Sequence, residues 1–411
     1  MLRKIAIAAG LAGCLVSAPA MAAGDAAAGM ADMSKYNLIV LGNWAANSDV
    51  EGRAIVTGNA TGSSVTVGMG RTAAGQSSTP STDPTLVIGG NLSVSNVNVN
   101  NGSNGGSGNI APGSSVWVKG NASGNINLNS ASGRNLLIGG NSSASSNNID
   151  SLQIGGNMTG GNFNSQAGGS IKIGGTKTGG TINLNGATYQ PNLGAGFKSG
   201  LEAAVNGMTS TLGDDLRAFS TQLSGLTLGS NPSYLSSSGQ TLILNAVKGS
   251  NGFSLFNLSQ TDFTGFTSIA YNFNPDAGPV IVNFTGATVG PDIVATLGLN
   301  FVTLNGLTDD FTKVNQSIVW NFKNATKVNF TTEFFGSVLA TEAEVKNNNA
   351  INGSVVAKKF TQGGEVHLGT FDSFTFPPPP AVPEPATWAM MILGFGLVGA
   401  VRRREARVRF A

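Results

Sequence analysis

The sequence predicts a mainly β protein: a parallel β-solenoid, or β-helix, body with one long α-helix lying alongside. Three observations predict it. A short phrase of two or three β-forming residues followed by Gly-Gly-Asn, or a variant, recurs from residue 54 onward. The longer intervals between repeats hold Gly/Ser/Asn inserts in place of charged loops. One segment, residues 197–223, interrupts the strands with helical spacing. A single coil cannot bury its own apolar face, whereas stacked coils share a core and let inserts protrude.

Composition fits an extracellular β-rich chain. Charged residues make up 11% of the 411, against ~25% in ordinary soluble proteins. The 58 glycines are roughly twice the usual share. Polarity comes from Asn, Ser and Thr, and 40% apolar residues suffice for a core. The only cysteine is Cys14, so the body can have neither a disulfide framework nor a cysteine metal site. Without the leader (Arg3, Lys4) and the tail (Glu384, Arg402, Arg403, Arg404, Glu405, Arg407, Arg409), sixteen basic and nineteen acidic residues remain. That formal charge near −3 argues against a nucleic-acid partner.

The elements follow in order. "MLRK", an apolar run over residues 5–16 and the small-x-small step Ala20-Met21-Ala22 read as a signal peptide over residues 1–22, cleaved after Ala22. "LAGC" also matches a lipobox in which Cys14 would be lipidated, but apolar residues continue past it to Val16. Cleavage near Ala22 fits the usual leader better. The repeats then run "AIVTGN" (Asn59), "LVIGGN" (Asn91), "VWVKGN" (Asn121), "LLIGGN" (Asn141), "LQIGGN" (Asn157) and "IKIGGT" (Thr176), at intervals of 32, 30, 20, 16 and 19. Alternating side chains point in and out of a strand. Glycine is expected to supply the unusual backbone angles of each corner, and Asn to hydrogen-bond its own turn. Second short strands, "VTVG", "NINLN" and "TINLN", follow several phrases. An antiparallel sandwich is the competing architecture.

Phe197, Leu201, Val205, Met208, Leu212, Leu216, Phe219 and Leu223 are spaced by 4, 4, 3, 4, 4, 3 and 4. This spacing predicts one helix over about residues 195–224 with a single apolar stripe against the coils. Strands return after residue 240, and "GSVLATEAEVKNNNAI" and "GSVVAKKFTQGGEVHL" begin at Gly336 and Gly353 as two matching coils. Both blocks are expected to stack into one domain, two small domains being the alternative. Residues 375–385 form a Pro-rich, extended linker.

Two regions resemble a known bacterial group. "YNLIVLGNWAANSDVEGRAIVTGNA" (residues 36–60) is similar to the opening of the choice-of-anchor A family, whose motif falls here on Asp49, Glu51, Gly52 and Arg53. "VWNFKNATKVNF", "FFGSVLA", "INGSVVAKKF" and "GEVH" are similar to its closing segment, so the resemblance spans residues 36–372. Residues 382–404, with Pro383-Glu384-Pro385, an uncharged stretch and Arg402-Arg403-Arg404, resemble the PEP-CTERM sorting signal. That resemblance implies recognition and cleavage near the Pro-Glu-Pro step by an exosortase in the inner membrane of a Gram-negative bacterium. The physics agrees. Residues 386–401 carry no charge and as a helix would reach ~24 Å, which Trp388 and the arginines extend toward a membrane span. The arginines hold the C-terminus in the cytoplasm, and the two prolines keep the cleavage segment extended.

Catalytic constellations are scarce. His367 is the only histidine, which excludes a multi-histidine metal site; it reads as closing a terminal coil. Asp49 and Glu51 alternate along a strand and share a face, but one short motif offers few oxygen ligands, so a turn with an edge ion pair to Arg53 is expected. Asp214 and Asp215 read as solvated, as do Glu342 and Glu344. No enzyme, cofactor or metal is expected. The function expected is a structural or adhesive role at the cell surface or in the exopolysaccharide matrix, after transient anchoring in the inner membrane. A ligand-binding module for carbohydrate, collagen-like matrix or ice is the alternative; for ice a regular Thr ladder is needed, and only fragments such as "TDFTGFT" occur. A polysaccharide-active enzyme would need carboxylates clustered from adjacent coils, which the Gly-Asn phrases do not supply.

Overall fold

The computed structural model describes residues 24–70, 82–100, 113–227, 230, 232–273, 277–302, 311–372, 374 and 395. The expected signal peptide with Ala20, Ala22 and Cys14, the expected linker, and the sorting motif Pro383, Glu384, Pro385 and Arg402–Arg404 lie outside them. Among the described residues no helix is long and apolar enough to cross a membrane. One compact unit ends at Ser373 and a second takes Phe374–Ala411.

The first unit is a stack of coils joined by parallel strand pairing, which excludes the antiparallel sandwich. Leu38–Val40 pairs with Ala54–Val56, that with Leu86–Ile88, and the ladder continues through Ser115–Val118, Asn135–Ile138, Ser146–Ile154 and Asn162–Ile173. On its other edge Leu38–Val40 pairs with Val355–Gln362, which stacks on Ser337–Asn347, then Ile318–Asn321, Val280–Thr285 and Ser254–Ser259. The first coil therefore sits mid-stack. One arm of coils leaves it in chain order; the other arrives from the far end and finishes against it. Both sequence blocks form one stack, and the two matching phrases at Gly336 and Gly353 are neighbouring coils whose pairing shifts register once, between Ala340 and Glu344.

The recurring phrase builds one corner. The Asn59 Oδ1 accepts from the backbone N–H of Asn91, Asn91 from Asn121, Asn121 from Asn141, and Asn141 from Asn157, each at 2.8 Å; Asn157 accepts from Thr176 at 2.9 Å. Each asparagine thus satisfies the N–H of the next coil, not that of its own turn. The glycine before it is needed for space, not for a left-handed backbone: a Cβ on Gly156 would stand 2.3 Å from Asn141 Oδ1, and on Gly175 2.1 Å from Asn157 Oδ1. Neither residue has a positive φ. Gly336 and Gly353 do require glycine for φ, at 124° and 142°.

Alternation along the strands sends Leu38, Val40, Ala54, Val56, Leu86 and Ile88 into the core. The residues between them, Ile39, Ile55 and Val87, face out and are nonetheless buried. Lateral helices cover this outward apolar row. The expected helix over 195–224 is two segments, α2 (Ala195–Thr209) and α3 (Leu212–Ser224), after a short N-terminal helix α1 (Ala26–Lys35). Leu201, Val205, Leu212, Leu216, Phe219 and Leu223 form the buried stripe. Helix α2 lies against Gly139 and Gly155, whose added Cβ would meet Glu202 Cγ at 2.9 Å and Lys198 Cα at 3.0 Å. The far end of α3 is fixed by Asn321 and Asn283, whose amides donate to the Ser220 and Leu223 carbonyls at 2.9 Å.

Helix α1 was not legible in the sequence, and it corrects one expectation: Asp215 is buried beneath it, accepting from the Asp25 N–H at 2.7 Å. Asp214 is exposed and pairs with Arg217. On α1, burial raises the Asp32 carboxyl to about 6; Lys35 opposes this, while Asp215 and Asp83 add to it. The folded value lies above the ordinary 3.8, so the folded chain holds this proton more tightly than the unfolded chain. Its stabilising contribution is full below pH 4 and is lost as pH rises through about 6. Two units correspond to ~3 kcal/mol; with the side chain 21% exposed, Asp32→Asn is expected to stabilise the protein by about 1–2 kcal/mol at pH 7. Urea midpoints at pH 4, 5, 6 and 7 check this. The difference between variant and wild type should grow with pH, and a constant difference would contradict it.

Candidate binding face

The second strands of the coils form a separate flat face. Val65, Val67, Val97, Val99, Ile126 and Leu128 point into the core. The residues between them point outward, and parallel register aligns them into rows. Thr66 pairs with Asn98 and Asn98 with Asn127; further along, Asn164 pairs with Asn183. Beside this row runs a second: Ser64, Asn96, Asn125 and Ser145, then Asn162 and Thr181. Side-chain amides link neighbouring coils. Asn127 Nδ2 donates to Asn98 Oδ1 at 2.9 Å and to Asn96 Oδ1 at 3.2 Å; Asn164 donates to Asn147, and Asn183 to Asn164. None of these residues is charged. Within a coil the rows are two residues apart, ~7 Å, and each row repeats every ~4.8 Å along the stack.

Several of these strands are legible in the sequence, but their common outward face is not. The signal was there in the Asn-x-Asn pairs at 96–98, 125–127 and 162–164. The Thr fragment "TDFTGFT" forms no ladder: Gln260–Phe263 is a 3-10 helix with Asp262 bonded back to the Ser259 N–H at 2.7 Å.

The motif residues 49–53 serve the junction of the two arms. Asp49 Oδ1 accepts from the Thr66 N–H at 2.8 Å, toward the next coil. Glu51 Oε2 accepts from the Leu368 N–H at 2.7 Å, in the final coil. The two carboxylates therefore reach opposite neighbours and do not act as the pair their alternation suggested. Glu51 is 5% exposed and Arg53 fully buried, which corrects the expected edge position. Arg53 Nε donates to the Lys35 carbonyl at 3.1 Å, and the attraction of Asp83 opposes the desolvation that lowers its pKa. The Gly52 N–H donates to Asn37 Oδ1 at 3.0 Å, and a Cβ there would meet Asn37 Cβ at 2.6 Å. His367 does lie in the last coil, pairing with Asn352. The structure also gathers what the sequence did not: ligand atoms of Glu51, Glu365 and His367 all lie within 4.8 Å of one another. Glu342 is a surface charge, paired with Arg217 at 2.6 Å and Lys358 at 3.4 Å.

Residues 29–136 and 113–368 match the family model described as "Putative Ice-binding-like adhesive domain". The chain belongs to this ice-binding-like adhesive domain family. The two matched segments overlap within the stack of repeats and together take in both arms. Residues 381–404 match the PEP-CTERM protein-sorting motif, which implies export, a surface location and processing by an exosortase. The match to the adhesive domain does not carry the name choice-of-anchor A. No curated protein matches the chain. Among solved structures, an ice binding protein from an Antarctic bacterium, Flavobacteriaceae, aligns at 14% identity over 82% of each chain, with a TM-score of 0.21. What the adhesive domain presents is set by its own side chains: an uncharged amide and hydroxyl face on one side, and helices on another.

Proposed function

We propose that this protein is a structural or adhesive component of the cell surface or exopolysaccharide matrix. Its tail holds it at the inner membrane of a Gram-negative bacterium until exosortase cuts near Pro383-Glu384-Pro385, the processing that the PEP-CTERM motif implies. The observation that carries the adhesive role is the in-register Asn/Ser/Thr face. Each amide offers both donors and acceptors, which suits hydroxyl-rich polymer. The ladder bonds hold the side chains in place before contact, so little rotamer freedom is lost on binding. Repetition along the stack lets one polymer chain engage several coils, and weak contacts add through effective concentration. Such a role needs no catalysis, and the face itself holds no carboxylate.

Co-sedimentation with exopolysaccharide tests this. The triple variant Asn98→Leu, Asn127→Leu, Asn164→Leu, at outward positions, is expected to fold and to lose at least tenfold in retention. Equal retention would contradict the assignment of the face. Ice and collagen serve as parallel probes in the same assay: retention on ice alone, with none on polysaccharide, moves the reading to the ice-binding alternative.

A further inference from the structure

We propose that the cavity beyond the end of α3 binds an acidic saccharide, its sugar carboxylate on Lys323 and its hydroxyls on the amides and carboxylate around it. The site lies on the arm that arrives from the far end of the stack, apart from the flat face described above, and does not depend on that face.

The cavity forms because α3 stops before the strands beneath it do. The helix packs on Val280–Thr285 and Ile318–Asn321, where the outward Ile281 and Val319 are buried. The next outward positions, two residues on, are Asn283 and Asn321, with Asn257 paired to Asn283 on the neighbouring coil. The helix ends at Ser224, and past it a cavity of about 510 Å³ opens over this amide row. That volume is within the range of small-molecule sites. Leu226, Asp262 and Lys323 also line it. Phe284 turns its ring away into the core, against Trp320 and Phe322, so this strand offers the cavity amides and hydroxyls and no stacking platform for a nucleobase.

The polar groups are fixed before any ligand arrives. Asn321 Nδ2 donates to Asn283 Oδ1 at 2.9 Å, and Asn283 Nδ2 donates to Asn257 Oδ1 at 3.2 Å. The same two nitrogens hold the Ser220 and Leu223 carbonyls, which anchors the row to the helix end. Every amide bond runs the same way along the row, so the Asn257 nitrogen is its outermost donor, at an exposed position. Asp262 is held as well. Its Oδ2 accepts from the Ser259 N–H at 2.7 Å and from the Ser259 hydroxyl at 2.8 Å, leaving Oδ1 to accept from a ligand. A hydroxyl both donates and accepts, so a polyol serves the amide donor and the carboxylate acceptor together. Three coils span ~10 Å, a length that takes linked sugar rings. Groups already held in place lose little rotamer freedom on binding.

Lys323 sets the charge of the ligand. It is half-buried in the cavity lining, and among the described residues no carboxylate, Asp262 included, forms an ion pair with it. A carboxylate on the sugar supplies that counter-charge inside a cavity, where salt screens the pair less than on an open surface. A neutral sugar leaves the ammonium unused.

Isothermal titration calorimetry of the full chain tests this, with trisaccharides of glucuronate, galacturonate and mannuronate, each beside its methyl ester. At least one acid is expected to bind at one site per chain, with its ester at least tenfold weaker. Lys323→Gln is expected to lose at least tenfold for the acid and to leave the ester unchanged, and Lys323→Arg to retain the acid. Asn257→Ala is expected to weaken acid and ester alike. Circular dichroism checks that each variant folds. Binding of no acid, equal binding of acid and ester, or unchanged affinity in Lys323→Gln overturns the proposal. So does binding lost in the Asn98→Leu, Asn127→Leu, Asn164→Leu variant and kept in Lys323→Gln, which places the sugar on the flat face instead.

Discussion

Asn37→Ala is expected to destabilise the protein by about 3–6 kcal/mol, because this one side chain joins three backbone groups across the junction. Asn37 is fully buried. Its Nδ2 donates to the Gly353 and His367 carbonyls at 2.9 and 3.0 Å, and its Oδ1 accepts from the Gly52 N–H at 3.0 Å. Gly52 belongs to the first coil, Gly353 and His367 to the closing ones. Truncation leaves buried backbone groups without partners, at ~1–3 kcal/mol each. Urea unfolding followed by circular dichroism measures the loss as a lower midpoint. Asn37→Asp should be no better, since a carboxylate would then face two carbonyls. A loss below about 1 kcal/mol would mean that the junction does not depend on this residue.

Trp320→Ala is expected to cost about 3–5 kcal/mol. Trp320 is fully buried at the centre of an aromatic cluster, with ring centroids 5.5 Å from Phe334, 6.0 Å from Phe284 and 6.2 Å from Phe263. Its indole N–H donates to Tyr271 Oη at 3.1 Å, and that hydroxyl donates onward to the Phe335 carbonyl at 2.7 Å. Alanine would leave a cavity that a stack of hydrogen-bonded coils can close only in part, since the parallel strands on either side fix the coil spacing. Trp320→Phe should recover most of the loss and forfeit the hydrogen bond. Urea midpoints separate the three proteins; equal midpoints for Ala and Phe would contradict the packing account.

The sequence made the local rules legible and left the long-range pairing hidden, for a physical reason. Gly-Gly-Asn recurs because the coils of the arm from Asn59 to Thr176 repeat the same corner, so a window of six residues exposes it. The stripe from Leu201 to Leu223 shows because a helix face repeats every three to four residues. Parallel pairing has no such local mark: each phrase could stack on any other, and nothing near Leu38 announces Val355 as its neighbour. The same blindness hid the meeting of Glu51 with His367 and the burial of Asp215. Helix α1 escaped because "AAAGMADMSK" has few apolar positions, only Met30 and Met33 forming a large buried pair. The corner glycines stand out in the sequence, but the structure gives them a different reason from unusual backbone angles. Their need comes from the asparagine of the preceding coil, which the sequence alone does not place beside them.

The outward asparagines form the face at which we propose that the exported protein meets its polymer. Cys14 is the only cysteine, so in a Cys14→Ser background a single introduced thiol reports position without ambiguity. The most direct measurement places an environment-sensitive fluorophore on Asn125→Cys, on the face, and on Lys198→Cys, on the lateral helix, and titrates exopolysaccharide into each. A saturable emission change is expected from the Asn125 position and none from Lys198. A change at Lys198 with none at Asn125 would contradict it.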